Sequence, residues 1–270
     1  MKTRVITAVI ALPLLLLLLL VAPKIVTAVV AGVASAIAAY ELCAGTGIVK
    51  HLRLTLYGML SAFWCVLWCG LGIGYSWLLL GILILWVLCF AEMMISKMKL
   101  SMDKVAMVFV AGVIIPMLLA SLVRMHNAEK GRFFVLLPFV IAFMSDSGAY
   151  FAGLKFGKHK LAPEISPKKT VEGVIGGVFG AIFGVVVFGL IVDVFFDFQV
   201  NYAFAIIYGL LGSAAAVFGD LCLSVVKRQT GIKDYGNIIP GHGGILDRFD
   251  SMLVVAPLTE VLLLLLPMMV

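Results

Sequence analysis

The chain has 270 residues, of which 63% are hydrophobic and 13% charged, and its mean hydropathy is +1.18. In soluble domains about a quarter of all residues are charged. The lower charged fraction here excludes an ordinary water-soluble globule and requires lipid as part of the solvent. The net charge of +6 does not require a nucleic-acid partner, because cytoplasmic loops of membrane proteins are rich in Lys and Arg.

Apolar runs of the length that crosses a bilayer, about 20 residues each, recur along the chain. They predict an all-α, polytopic membrane protein of about nine transmembrane helices. The runs cover residues 5–22, 25–42, 54–73, 76–94, 105–123, 133–152, 173–195, 201–222 and 251–269. Because Pro23 and Lys24 follow the first run in place of small residues, we interpret it as a retained helix and not as a cleaved signal.

The distribution of Lys and Arg predicts that the N-terminus is cytoplasmic. With that orientation, sixteen of the twenty basic residues fall on the inside of the membrane. The four that fall outside are Lys24, Arg124, Lys130 and Arg132. Lys and Arg concentrate on the cytoplasmic side, so this distribution supports both the number of helices and their orientation.

Polar residues are spread unevenly along the chain. Residues 1–130 are apolar and are interpreted as a transmembrane scaffold that could carry dimer contacts. Residues 131–270 contain two loops rich in polar residues, Gly and Pro, 154–172 and 226–250, which predict a catalytic domain there. Glycines at four-residue spacing within 173–184 predict close packing of the seventh helix against a neighbour.

A short polar segment interrupts the sixth apolar run. Asp146 stands there between Ser145 and Ser147. Carboxylates inside a membrane are costly and mark function by default, so Asp146 is a candidate metal ligand. A cluster of hydrogen bonds that packs helices together is the alternative.

The segment 220–228 carries a stronger pattern. Asp220, Ser224, Lys227 and Arg228 follow one another at helical spacing, which places them on one helix face. Mg²⁺ is usually bound by one or two carboxylates together with substrate phosphates. We therefore predict Asp220 and Ser224 as metal ligands, Asp220 also as a catalytic residue, and Lys227 and Arg228 as catalytic cations at the cytoplasmic end.

The loop that follows combines cations, carboxylates and glycines. Gly243 and Gly244 allow a ligand to approach the backbone closely. Asp247 and Asp250 are expected at the N-terminal end of the last helix, where the helix dipole alone would favour carboxylates. The predicted substrate-binding residues are Lys233, Asp234, Gly243, Gly244 and Arg248, and the predicted catalytic residues are His242, Asp250 and Asp247, the last also a metal ligand.

The other polar loop reads Ser-Pro-Lys-Lys-Thr. Pro167 and Thr170 suit the start of a helix, and lysines beside a helix N-terminus form an anion site. Ser166, Lys168 and Lys169 are therefore predicted to bind substrate, with attraction to anionic lipid headgroups as the alternative. We expect the acids and cations of both loops to converge on one hydrated pocket suited to phosphoryl or nucleotidyl transfer.

The run from Ser224 to Asp250 resembles the signature of phosphatidate cytidylyltransferases (CDP-diacylglycerol synthases) over 27 positions. The Ser-Pro-Lys-Lys-Thr and Asp-Ser-Gly-Ala-Tyr runs resemble the same family. The resemblance implies conversion of CTP and phosphatidate into CDP-diacylglycerol and pyrophosphate with Mg²⁺, and K⁺ as a candidate second cation. It also implies a homodimeric enzyme of the bacterial inner membrane with its active site facing the cytoplasm, and no nucleic-acid partner.

In this reaction the attacking phosphatidate oxygen is already anionic, so His242 is expected to donate a hydrogen bond and not to accept a proton. Three alternatives stay open. A CDP-alcohol phosphatidyltransferase would show a D-G-x-x-A-R run, of which this chain has a fragment, and a CTP-dependent polyprenol kinase would use the same nucleotide. A polytopic transporter would also carry buried acids, but its polar residues would gather at the midplane.

Overall fold

The computed structural model describes residues 2–97, 99–239, 241 and 243–269. Its helices are α1 (Lys2–Leu20), α2 (Lys24–Tyr40), α3 (Leu52–Leu71), α4 (Tyr75–Ile95), α5 (Met102–Phe109), α6 (Ile115–Asn127), α7 (Gly131–Phe134), α8 (Leu137–Phe156), α9 (Val171–Phe196), α10 (Tyr202–Gln229) and α11 (Met252–Leu265). A π-helical turn over Glu41–Gly45 extends α2, and another over Val110–Ile114 joins α5 to α6. A hairpin of two short strands, β1 (Lys160–Ala162) and β2 (Ser166–Thr170), lies between α8 and α9.

Within the described residues, seven helical segments are long and apolar enough to cross a membrane. They are Lys24–Gly45, Leu52–Leu71, Tyr75–Ile95, Met102–Asn127, Gly131–Phe156, Val171–Phe196 and Tyr202–Gln229. Two shorter apolar segments, Val9–Leu20 and Met252–Leu265, coincide with the first and last predicted runs. The prediction of an all-α, polytopic membrane protein is confirmed, and the orientation of its N-terminus stays a prediction.

The described chain divides into two compact units. The first contains Met1–Arg132 and Gln229–Phe249, and the second contains Phe133–Arg228 and Asp250–Val270. The polar loop after α10 therefore belongs to the unit of the N-terminal helices. The assignment of a scaffold role to residues 1–130 and a catalytic role to residues 131–270 stays a prediction.

The first unit is held together by small apolar residues. Ala28 on α2, Val66 on α3, and Ala120 and Val123 on α6 form one buried cluster. Because lipid is as apolar as the side chains, helices in a membrane associate through close van der Waals contact rather than through the hydrophobic effect. Small residues at this cluster permit that contact.

The second unit shows the glycine-mediated packing that the sequence predicts. A Cβ added at Gly148 of α8 would lie 2.4 Å from the carbonyl oxygen of Gly176 on α9, so the two backbones touch where neither residue has a side chain. Tyr208 of α10 is fully buried, and its hydroxyl donates to the carbonyl oxygen of Leu266 at 3.0 Å. These contacts pack α8 against α9 and join α10 to the end of α11.

The predicted loop 154–172 contains the β-hairpin, which the sequence did not predict. Lys160 pairs with Thr170 and Ala162 with Ser166. Strands of three and five residues are too short to show a clear alternation of polar and apolar positions. Thr170 accepts a hydrogen bond from the backbone N–H of Gly173 at 3.1 Å, so the predicted start of α9 at this threonine is confirmed. The prediction that Pro167 also belongs to a helix start is wrong, because Pro167 lies within β2, which pairs with β1.

Candidate active site

Asp220 and Ser224 lie one turn apart on α10, as their spacing predicts. The Ser224 hydroxyl donates to Asp220 Oδ1 at 3.2 Å. The same helix continues through Lys227 and Arg228, so the four residues share one element. Arg228 Nε donates to the carbonyl oxygen of Ile165 at 3.0 Å, which ties the end of α10 to the turn of the hairpin.

Lys169 brings a positive charge to the Asp220 carboxylate. Its Nζ lies 2.6 Å from Asp220 Oδ2 and 3.4 Å from the carbonyl oxygen of Val217. The strand pairing of β2 and the Thr170 cap of α9 hold Lys169 in this position. We call Lys169, Asp220 and Ser224 the α10 cluster; it joins a cation, a carboxylate and a hydroxyl, and both charged side chains are partly exposed to solvent.

Ser166 and Lys168 lie on β2 with Lys169. Side chains alternate along a strand, so Lys168 points away from the face that carries Lys169, and it is exposed. The predicted role of Ser166 and Lys168 in substrate binding stays a prediction.

The polar segment of α8 combines two environments. Ser145 is buried, and its hydroxyl oxygen lies 2.8 Å from that of Ser213 on α10. Ser145 therefore links α8 to α10 by a hydrogen bond, as expected from the alternative interpretation of this segment as a helix-packing cluster. Asp146 lies on the exposed side of α8, and its role as a metal ligand stays a prediction.

Asp247 organises the polar loop of the first unit. It is 4% exposed, and its Oδ2 accepts the backbone N–H groups of Tyr235 at 2.8 Å and Gly244 at 3.0 Å. The prediction that Asp247 and Asp250 stand on the last helix is wrong, because α11 begins at Met252. The physical reason is that the Asp247 carboxylate binds N–H groups of its own loop, which keeps this segment in a turn.

Asp250 lies just before α11 and belongs to the second unit. Its Oδ1 accepts the backbone N–H of Ser251 at 2.8 Å. Asp220 belongs to the same unit, whereas Asp247 belongs to the first. The expected convergence of Asp220 and Asp247 on one pocket stays a prediction.

A second buried carboxylate, which the sequence reasoning missed, holds the same loop as Asp247. Glu41, at the end of α2, is 1% exposed. Its Oε1 accepts the N–H of Ile245 at 3.0 Å, and its Oε2 accepts the N–H of Leu246 at 2.8 Å. The sequence does show a carboxylate within an apolar run, which could have marked Glu41 as a candidate. It could not show the partner of Glu41, because a contact between residues 204 positions apart leaves no local pattern.

The loop lines a polar cavity of about 480 Å³, partly open to solvent, within the first unit. The residues that line it are Lys233, Asp234, Asn237, Ile239, Gly241, Gly243 and Arg248. Four predicted substrate-binding residues, Lys233, Asp234, Gly243 and Arg248, are thus brought together, while Gly244 directs its N–H to Asp247. His242 lies outside the described residues.

A family model described as the cytidylyltransferase family matches residues 2–266. This match covers nearly the whole chain, including both units, the α10 cluster and the polar cavity. The chain belongs to the cytidylyltransferase family. The resemblance of residues 224–250 to this family is thereby confirmed.

Curated bacterial relatives of this cytidylyltransferase-family chain carry the name phosphatidate cytidylyltransferase. The protein of Bacillus subtilis is 38% identical over 168 residues, which are 62% of this chain and 61% of the relative. That of Staphylococcus saprophyticus is 40% identical over 139 residues, 52% of each chain, and that of Staphylococcus aureus is 41% identical over the same length and share. The chain thus spans between half and two thirds of the length of these relatives.

The oxygen donors of the α10 cluster suit a hard divalent cation. In a cytidylyltransferase, such a cation would take one or two carboxylates and complete its shell with phosphate oxygens. Among the described side chains, no group of three or more His, Cys, Asp and Glu is arranged to hold a metal without further ligands. Asp220 and Ser224 supply a carboxylate and a hydroxyl oxygen, which are donor types that Mg²⁺ binds, while Asp220 Oδ2 is paired with Lys169 Nζ. Binding of Mg²⁺ at this cluster stays a prediction.

Proposed function

We propose that this chain is a phosphatidate cytidylyltransferase, which transfers the cytidylyl group of CTP to phosphatidate and releases pyrophosphate. The polar cavity carries the proposal, because Lys233 and Arg248 place two positive charges against one space in a chain of apolar helices. Membership in the cytidylyltransferase family and the names of the bacterial relatives support the same reaction.

The bond changes need no proton acceptor. An oxygen of the phosphatidate phosphate forms a bond to the α-phosphorus of CTP, and the bond from that phosphorus to the β-phosphate bridging oxygen breaks. The attacking oxygen is already anionic, so catalysis consists of positioning the phosphates and neutralising their charge. Lys233 and Arg248 serve the triphosphate, and Asp234 and Asn237 offer hydrogen-bond partners to the ribose or the base.

The α10 cluster serves a second phosphate-binding role in this proposal. Lys169 holds a phosphate of the lipid or the nucleotide, and Ser166 and Lys168, on the opposite face of the same strand, are further proposed substrate-binding residues. Lys227 and Arg228 add positive charge at the end of α10. A partly exposed position suits this work, because the substrates must reach the side chains.

Asp220 and Ser224 would hold Mg²⁺, with Asp247 and Asp146 as further proposed ligands. When bound, the ion neutralises phosphate charge and stabilises the charge that develops on the leaving pyrophosphate. K⁺ is the proposed second cation.

The proposed location is the inner membrane of a bacterium, with the N-terminus and the active site on the cytoplasmic side. CTP is soluble in water and phosphatidate resides in the bilayer, so the reaction belongs at the interface between them. The excess of Lys and Arg in the loops assigned to the inside supports this orientation. The proposed assembly is a homodimer in the lipid bilayer.

Turnover of labelled CTP by the purified full-length chain tests the proposal. With phosphatidate and Mg²⁺ in detergent micelles, we expect labelled CDP-diacylglycerol and an equal amount of pyrophosphate. A chelator should abolish both products. Formation of CDP with a phosphorylated lipid would indicate a kinase, and CTP consumption without phosphatidate dependence would also overturn the proposal.

A further inference from the structure

Glu41 is a buried carboxylate that the proposed chemistry does not use. It opens the π-helical turn Glu41–Gly45 at the end of α2 and is 1% exposed. Burying a carboxylate is costly unless it is hydrogen-bonded, and π-helical turns occur often at functional sites. We therefore expect the buried Glu41 carboxylate to have a specific role in the structure.

The two oxygens of Glu41 bind two consecutive backbone groups. Oε1 accepts the Ile245 N–H at 3.0 Å and Oε2 accepts the Leu246 N–H at 2.8 Å. A carboxylate can accept both at once, because each oxygen faces one donor. The segment that ends the polar loop is thereby fixed to α2.

Two glycines of the loop make room for this carboxylate. A Cβ at Gly236 would lie 2.5 Å from Glu41 Oε1, and a Cβ at Gly244 would lie 2.4 Å from the same atom. On the other side of the contact, a Cβ at Gly45 would lie 2.5 Å from the carbonyl oxygen of Tyr235. The loop backbone thus lies directly on the Glu41 side chain and the turn that carries it.

Asp247 completes the arrangement from within the loop. Its Oδ2 accepts the N–H groups of Tyr235 and Gly244, while Glu41 accepts the next two N–H groups along the chain, those of Ile245 and Leu246. Two buried carboxylates therefore receive four backbone N–H groups of one loop. The cavity-lining residues from Lys233 to Arg248 lie within or beside the segment that is held in this way.

We infer that Glu41 is a positioning residue for the cavity: through the backbone of Gly244, Ile245 and Leu246 it sets the positions of Lys233 and Arg248. Its catalytic meaning rests on the proposed function. The hydrogen bonds themselves can be tested without that function. In this inference, Glu41 affects nucleotide binding only by positioning the loop and does not contact the substrate.

Hydrogen exchange of the full-length chain in detergent tests the positioning directly. In Glu41→Gln, the amide NH₂ would face a backbone donor, so exchange of the Ile245 and Leu246 amides should accelerate by about tenfold or more. Glu92→Gln is the matched control, because Glu92 is also buried in the first unit but pairs with His51 and Arg53 side chains. Unchanged exchange in the loop of Glu41→Gln, or equal acceleration in Glu92→Gln, would overturn the inference.

Steady-state kinetics test the consequence for the reaction. Glu41→Gln should lower kcat/KM for CTP by about 100-fold, since a displacement of about 1 Å can cost that much, with little change in KM for phosphatidate. Gly236→Ala, which pushes a Cβ against Glu41, should reproduce this pattern. A merely structural role would lower the yield of folded protein and leave the kinetic constants of the folded fraction as in the wild type.

Two further outcomes are distinguishable. If Glu41→Gln does not fold, Glu41→Asp keeps the charge but shortens the reach, and it should show the same local acceleration of exchange. If the wild-type chain has no cytidylyltransferase activity, the proposed function fails, while the exchange comparison still decides whether Glu41 holds the loop.

Discussion

Lys169 Nζ lies 2.6 Å from Asp220 Oδ2, so a lysine of the β-hairpin forms an ion pair with a carboxylate of α10. The Ser224 hydroxyl occupies the other oxygen of the same carboxylate at 3.2 Å. An ion pair that is partly exposed contributes about 1 kcal/mol or less to stability. Loss of the Lys169 charge should therefore change stability little, so that an effect on turnover can be measured separately from an effect on folding.

Replacing Lys169 with Met should separate these two effects. We expect kcat/KM to fall by about 100-fold, as when one electrostatic donor to a reacting group is lost, and the unfolding midpoint in detergent to stay nearly constant. Lys155→Met is the control, because Lys155 is a neighbouring lysine on α8 that lies over the Phe156 ring. Wild-type turnover in Lys169→Met would remove this lysine from the active site.

Asp247→Asn tests whether the Asp247 charge is needed beyond its hydrogen bonds. The amide oxygen of Asn can still accept the N–H groups of Tyr235 and Gly244, so the loop should lose only about 1–2 kcal/mol of stability. Turnover should nevertheless fall by about 100-fold or more, as expected for a metal ligand or its close support.

Asp197→Asn provides the comparison for that experiment. Asp197 caps the end of α9 with a left-handed backbone, φ 54°, a conformation that Asn tolerates. We expect this variant to keep full turnover. Comparable activity of the Asp247 and Asp197 variants in a labelled-CTP assay would count against Asp247 as a metal ligand.

Local spacing was enough to predict the helical parts of the candidate site. The four-residue step from Asp220 to Ser224 places both side chains on one face of any helix, and Thr170 is a strong N-cap type. The apolar runs likewise predict helices, since unsatisfied backbone groups are too costly in lipid for other structures. These inferences need no knowledge of distant contacts.

The parts that could not be predicted depend on contacts between distant positions. Glu41 meets Ile245 and Leu246 across more than 200 residues, and no periodicity encodes that meeting. Asp247 has the spacing of a helix N-terminus, but bonds to loop N–H groups compete with the helix for its carboxylate. In both cases a buried carboxylate accepts hydrogen bonds from backbone N–H groups that only the folded chain places beside it.

The buried pair Ser145 and Ser213 should contribute measurably to the packing of α8 and α10. Their oxygens lie 2.8 Å apart, and removing one hydroxyl leaves the other without this partner. We expect Ser145→Ala and Ser213→Ala each to destabilise the protein by about 1–2 kcal/mol, near the upper end for hydrogen bonds in membranes. The double variant should lose less than the sum of the two in thermal unfolding, and strict additivity would contradict the bond.

Close contact of α8 and α9 should make Gly148 intolerant of a methyl group. A Cβ there would meet the Gly176 carbonyl oxygen at 2.4 Å, so Gly148→Ala should destabilise the chain by about 1–3 kcal/mol. Gly74→Ala is the matched control, because no atom lies within 4 Å of a Cβ at that position. Equal unfolding midpoints of the two variants would show that the helices can separate at no cost.

The predicted orientation has a direct test in intact cells. In a background without the five native cysteines, Lys130→Cys should react with a membrane-impermeant maleimide, because Lys130 falls in a loop assigned to the outside. Lys158→Cys, in the hairpin loop assigned to the cytoplasm, should react only after the membrane is permeabilised. The loops with more Lys and Arg stay inside because their translocation is disfavoured, so the reverse labelling pattern would place the α10 cluster on the side that CTP does not reach.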